Sequence, residues 1–279
     1  MKKTTLLIAS AILIMALSSS AASAQLIENR NLTGFTKVSF NVPGNLKIHI
    51  GSEFKVVLEG DQDFLDEIET KVSDGELVIR RKNPNSYRER FINKKVIANI
   101  TMPSVAGLAV AGLGKIEITD SFKAASLKLS TTGSGHITIN DISCDNLDSN
   151  VAGSGGITIL TPLKTGSLKI SVSGSGHTTF NGISCETLEC NVAGSGGATI
   201  NGSGSIGYED INISGSGNFS AKSVTAATAD ISVTGSGNCS CNVSENLIAR
   251  VTGSGNITYI GAPKKMDTRV TGSGKVRSE

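Results

Sequence analysis

The string "NVAGSGG" occurs at residues 150–156 and again at 191–197, and its Gly-X-Gly triplet recurs down the second half of the chain. Triplets begin at Gly112, Gly133, Gly153, Gly174, Gly194, Gly215, Gly235, Gly253 and Gly272, spaced by 21, 20, 21, 20, 21, 20, 18 and 19 residues. A fixed period of about 20 residues sets the architecture before local propensity is consulted. Such glycines either cradle a phosphate or turn a corner, and their flanks separate the two readings.

Aligned on the first glycine, the repeats form apolar columns. Six, four and two residues before it stand Leu127, Leu129 and Thr131, then Leu147, Ser149 and Val151, then Leu168, Ile170 and Val172, then Leu188, Cys190 and Val192. Four and six residues after it stand Ile137 and Ile139, Ile157 and Ile159, Thr178 and Phe180, Ala198 and Ile200. Both flanks alternate with period two, which is the pattern of half-buried strands. A unit of about 20 residues with two short strands cannot bury its apolar face alone, whereas stacked copies bury a continuous column. The expected fold is therefore all-β: a right-handed parallel β-solenoid, or β-helix, of about 20-residue coils with GSG corners, roughly 40 Å long.

In that frame glycine supplies the positive φ of a tight corner. The serines between the glycines and a column at Asn140, Asn181, Asn201 and Asn242 would stack as polar ladders. "GSGSIG" at 202–207 matches a nucleotide-binding fingerprint, but "YEDINISGSG" follows it and alternates like a strand. Without a helix to receive a pyrophosphate, the match is a by-product of the repeat.

The opening "MKKTTLLIASAILIMALSSSAASA" reads as a signal peptide over residues 1–24, with cleavage expected before Gln25. Export follows, to the periplasm, the outer surface or the medium. No later apolar run is long enough to span a bilayer as a helix. Removing Lys2 and Lys3 brings the 26 lysines and arginines level with the 24 aspartates and glutamates. That balance gives no global electrostatic reason to expect nucleic acid as a partner.

Residues 25–105 read as a β-rich N-terminal lobe that caps the solenoid of residues 106–279. "LKIHIGSEFKVVLEG" suggests a hairpin turning at Gly51 and Ser52, and "DQDFLDEIET" a short helix capped by Asp61. "SDGELVIRRK" suggests a turn into a strand, and "KKVIANITMP" a strand ending at Pro103. Between the last two lies a basic segment with Arg80, Arg81, Lys82, Tyr87, Arg88 and Arg90, continued by Lys94 and Lys95. Cations interleaved with Tyr87 and Phe91 suit an anionic ligand, and Arg80, Arg81, Lys82, Tyr87, Arg88 and Arg90 are the candidate binding residues. The competing reading is a solvated hairpin tip whose charges pair with acids of the nearby helix.

Elsewhere the repeats offer little chemistry. Cys190, Cys239 and Cys241 fall in core columns, and Cys144 and Cys185 share a column two coils apart, too far for a disulfide. His136 and His177 are likewise two coils apart, too far to share a metal ion. Asp141, Asp145, Asp148, Glu186 and Glu189 scatter over loops and outward positions. A polysaccharide-active β-helix enzyme would require acids such as Asp145 and Glu186 to approach across coils. The expectation is accordingly no catalytic residue, no metal and no cofactor.

The order "GNLKIHIG", "KVVLEGDQDFLDEIE", "ELVIRRK" and "VIANITMPSVAGLAVAGLGKIEI" before the GSG repeats resembles the bacterial auto-transporter adhesin family with a head GIN domain. That resemblance implies an exported, largely β protein with a solenoid-like repeat region, common in Bacteroidetes, and carries no catalytic residues over. The expected function is a non-enzymatic, adhesin-like binding protein presenting a solenoid surface to a glycan or a cell-surface protein, with self-association possible at the open end. The alternatives are the β-helix enzyme and a cell-envelope scaffold.

Overall fold

A computed structural model describes residues 25–83 and 93–279. The signal-peptide segment 1–24 and the candidate residues Tyr87, Arg88 and Arg90 lie outside the described residues. Strands make up 75% of the structure and helix 2%, with about 9 solenoid coils between residues 107 and 278, so the chain is an all-β parallel solenoid.

The N-terminal part supplies β1 (Gln25–Asn29), β2 (Lys37–Asn41), β3 (Gly44–Ile50), β4 (Lys55–Asp61), α1 (Gln62–Leu65), β5 (Ile68–Ser73), β6 (Glu76–Arg81) and β7 (Val96–Met102). β8 (Gly107–Gly112) and β9 (Lys115–Gly133) begin the repeats. β2 pairs in parallel with both β6 and β8, and β3 in parallel with both β7 and β9. One apolar core runs without interruption from Phe35 to Ile257.

Two local expectations change. β3 and β4 form no hairpin, because β7 lies between them, parallel to β3 and antiparallel to β4. Val96, Ala98, Ile100 and Met102 of β7 are fully buried, which is the burial of a central strand. The helix spans only Gln62–Leu65, and Asp61 makes no side-chain cap. Its carboxylate instead meets Lys94 Nζ at 2.8 Å, and the expected end of the helix becomes β5. The turn at Asp74 and Gly75, with φ of 52° and 72°, does join β5 to β6 as an antiparallel hairpin.

In the repeats, registry is set column by column. Leu127, Leu147, Leu168 and Leu188 stack in direct register at the first inward position. Each is buried, and a leucine so removed from water contributes about 1.5–3 kcal/mol, an upper estimate for an extended unfolded chain. Cys190 joins the next column, between Ile170 and Ile211. The Asn140 and Asn181 amides donate to the carbonyls of Thr119 and Leu160 on the preceding coil. An unforeseen amide ladder runs from Asn256 to Asn238 to Asn218 at 3.1 and 3.0 Å.

The GSG corner combines two constraints. Gly194 has φ of 117°, closed to most L residues. Gly196 needs glycine for a different reason: a Cβ there would lie 2.1 Å from the Gly176 carbonyl oxygen of the coil below. This approach lets the Gly174 carbonyl accept from both Ser195 N–H and Gly196 N–H at 2.9 Å. The serine itself is exposed. Gly196→Ala is therefore expected to destabilise the chain by more than about 1 kcal/mol, whereas Ser195→Ala should stay within about 0.5 kcal/mol. Urea unfolding of the two variants checks this, and equal losses would contradict the corner geometry.

Candidate functional site

Parallel pairing of β3 with β9 brings together residues about 70 positions apart. Asn45 stands opposite Lys115, and Lys47 opposite Glu117. Outward residues alternate with buried Leu46, Ile48, Ile116 and Ile118, so the polar set is presented by the same pleat that builds the core. Gly44 permits the start of β3 to press against β7, where a Cβ would lie 1.9 Å from the Val96 carbonyl oxygen.

A cleft of about 390 Å³ opens here, lined by Pro43, Gly44, Asn45, Asn93, Lys94, Lys95, Leu113 and Lys115. A second, of about 270 Å³, shares Asn45 and Lys115 with it and continues past Lys47 and Glu117 to His136 and Thr138. From Thr138 an outward hydroxyl row follows the rod through Thr158, Thr179, Thr199, Ser220, Ser240 and Thr258. His177 Nε2 lies 2.9 Å from Thr199 Oγ1, and partial burial lowers its pKa. His136 and His177 are separated by Gly156 of the intervening coil.

The charges divide into paired and unpaired groups. Arg80 Nε donates to Glu69 Oε2 at 2.8 Å, and Lys82 Nζ to the Asp66 carbonyl oxygen at 2.5 Å. Arg80 is thus held by an acid of β5 rather than of the helix. Lys94 is held by Asp61. Lys47, Lys95 and Lys115 are exposed and have no ion-pair partner among the described residues. Arg80 lies opposite Asn41 at the end of β2, which leads directly into the cleft at Pro43. Sequence reasoning found Lys94 and Lys95 but missed Asn45, Lys47 and Lys115, because only the β3–β9 register unites them.

The acids named as an enzymatic alternative are spread out. A Cβ on Gly166 would lie 3.0 Å from the Asp145 carbonyl oxygen, and one on Gly207 2.6 Å from that of Glu186. The registers of Asn146 with Ser167 and of Ser167 with Thr187 set Asp145 and Glu186 two coils apart, with Gly166 on the coil between. Asp141 is held below the usual carboxylate range by hydrogen bonds from Ser121 and Thr161. Glu189 is lowered by its bond from Lys169 at 2.7 Å. These are ladder contacts between neighbouring coils.

One carboxylate is different. Glu209 occupies the leucine column, with Leu188 on one side and Ala229 on the other, and is 1% exposed with Oε1 unpartnered. Cys190 and Cys239 are buried in the adjoining columns and Cys185 is half-buried; all five cysteines are free. Among the described residues no group of three His, Cys, Asp or Glu has the geometry to hold a metal ion. Burial pushes the Glu209 carboxyl up to about 8. A raised carboxyl often marks a general acid, but this one is enclosed by the core. The column position, six before Gly215, was the available signal.

The unfolded chain loses this proton near 4.5 and the folded one near 8. The stability linked to Glu209 is thus fully present below 4.5, falls through the window between those values, and is absent above it. Glu209→Leu should stabilise the protein by about 1–3 kcal/mol, more at pH 8 than at pH 4.5. Thermal melts at the two pH values test this; an equal shift at both would place the carboxyl in contact with solvent.

A family model described as "Putative auto-transporter adhesin, head GIN domain" matches residues 34–206 and again 150–263. Among solved structures, a "putative adhesin" from Parabacteroides merdae ATCC 43184 is 19% identical over 92% of this chain and 97% of that one, with a TM-score of 0.71. A "putative adhesin" from Parabacteroides distasonis ATCC 8503 is 18% identical over 92% and 98%, TM-score 0.71. A "putative lipid binding protein" from the same organism is 20% identical over 92% and 98%, TM-score 0.70. At these identities the likeness is one of fold. No curated protein matches the chain.

Proposed function

Because this chain belongs to the auto-transporter adhesin family with a head GIN domain, we propose that it is an exported, non-enzymatic binding protein that holds an acidic glycan along the β3–β9 groove. The observation that carries this reading is the pair of contiguous clefts sharing Asn45 and Lys115, with Lys47, Lys95 and Lys115 at their rim making no ion pair among the described residues. An extended polyanion fits such a groove better than a compact ligand does, because the cations are strung along it and the hydroxyl row from Thr138 prolongs it down the rod. Arg80, opposite Asn41 at the end of β2, lies on the approach to the cleft, and Arg81, Lys82, Arg88 and Arg90, with Tyr87 among them, add positive charge to the sequence between β6 and Lys94.

Residues 1–24 provide the route out of the cytoplasm, as an adhesin requires. No helix among the described residues is long and apolar enough to cross a membrane. The two-coil separation of Asp145 and Glu186, with Glu209 enclosed, favours binding over cleavage.

The double variant K95E/K115E should weaken binding to polygalacturonate at least about tenfold, equivalent to about 1.4 kcal/mol, and leave neutral dextran unaffected. Wild-type affinity should fall as salt rises. Calorimetry with both polymers decides: unchanged polygalacturonate affinity in the variant removes the groove as the site. Depolymerisation of the polymer by wild-type protein would instead establish the enzymatic alternative.

A further inference from the structure

The last long strand, Lys265–Gly272, pairs in parallel with the preceding coil on one side only. Among the described residues no strand lies on its other side. Its inward positions, Met266, Thr268 and Val270, continue the columns of Leu247, Ala249 and Val251. Those three are buried, whereas Met266 is 46% and Val270 42% exposed. An unpaired edge carrying exposed apolar side chains templates another strand.

We infer that this edge pairs antiparallel with the same edge of a second copy of the chain, across a two-fold axis through Thr268, to give a tail-to-tail dimer. The choice of occupant rests on charge. Pairing about Thr268 sets Met266 opposite Val270 of the other copy and Asp267 opposite its Arg269, twice over by symmetry. Apolar side chains meet on the core face and opposite charges meet on the outer face. A shift of one residue either way moves the axis to Asp267 or Arg269 and places like charges directly across, which is destabilising. Half-residue shifts exchange the two faces and oppose Met266 to a solvated position. The strand is self-complementary in one register. Lys265, Lys275 and Arg277 add like charge to both ends, and this opposes association until salt screens it.

The test uses the chain from Gln25 to Glu279. Sedimentation should show a monomer–dimer equilibrium that depends on concentration. Asp267→Arg and Arg269→Asp should each shift it to monomer by at least tenfold in dissociation constant, and the double variant D267R/R269D should restore the dimer. Thr268→Cys should form a disulfide-linked dimer under mild oxidation, since antiparallel partners lie about 4.5–5.5 Å apart, within disulfide reach. Thr271→Cys, opposite Lys265, should not. Wild type that stays monomeric at all concentrations overturns the inference. So does a dimer that survives both single reversals, or equal crosslinking at 268 and 271, either of which would indicate a contact elsewhere.

Discussion

The close approach of successive coils at the glycine corners is the constraint on which the rest depends. At five of the corners a single carbonyl, that of Gly133, Gly153, Gly174, Gly215 or Gly235, accepts two N–H groups from the coil above. Side chains at Gly194 or Gly196 would strike the backbone below at 2.5 and 2.1 Å. Because the corners fix coil spacing, the strands on either side fall into register, and in-register strands align the apolar columns. Hydrophobic burial supplies most of the stabilisation, but the corner selects which residues are buried together.

Much of this was legible in the sequence, since a periodic feature repeats its own signal. The columns through Leu127, Leu147 and Leu168 can be read by counting from a glycine, and the corner could be distinguished from a phosphate loop by the alternation after Gly207. The N-terminal part repeats nothing, and there the local reading held for the Asp74–Gly75 turn and the strand Val96–Met102 but failed at Gly51 and Ser52. Two alternating segments with Gly51 and Ser52 between them look like a hairpin, yet the apolar alternation of Val96–Met102 makes that strand a better neighbour for both. Long-range pairing overrode the short-range turn.

The candidate groove was half legible for the same reason. A run of cations about Arg80 and Lys94 is visible as composition, whereas Lys47 and Lys115 become neighbours only through a sheet register that no local pattern announces. Glu209 was visible by its column but easily passed over, because a carboxylate among leucines is the least expected occupant. Its enclosure also shows how far the corners and columns on either side can carry one unfavourable residue without loss of register.

The contact between Lys222 and Glu279 sets how the rod comes apart. In a stack where each coil touches only its neighbours, loss of order starts at a free end and proceeds inward, like unzipping. The Lys222 ammonium reaches the carboxylate of Glu279, whose own amide bonds to the Tyr259 carbonyl at 3.0 Å. A half-exposed ion pair contributes little to total stability, but this one joins the final residue to a strand laid down well before it. It acts as a clasp across the last coils, opposing their separation from one another.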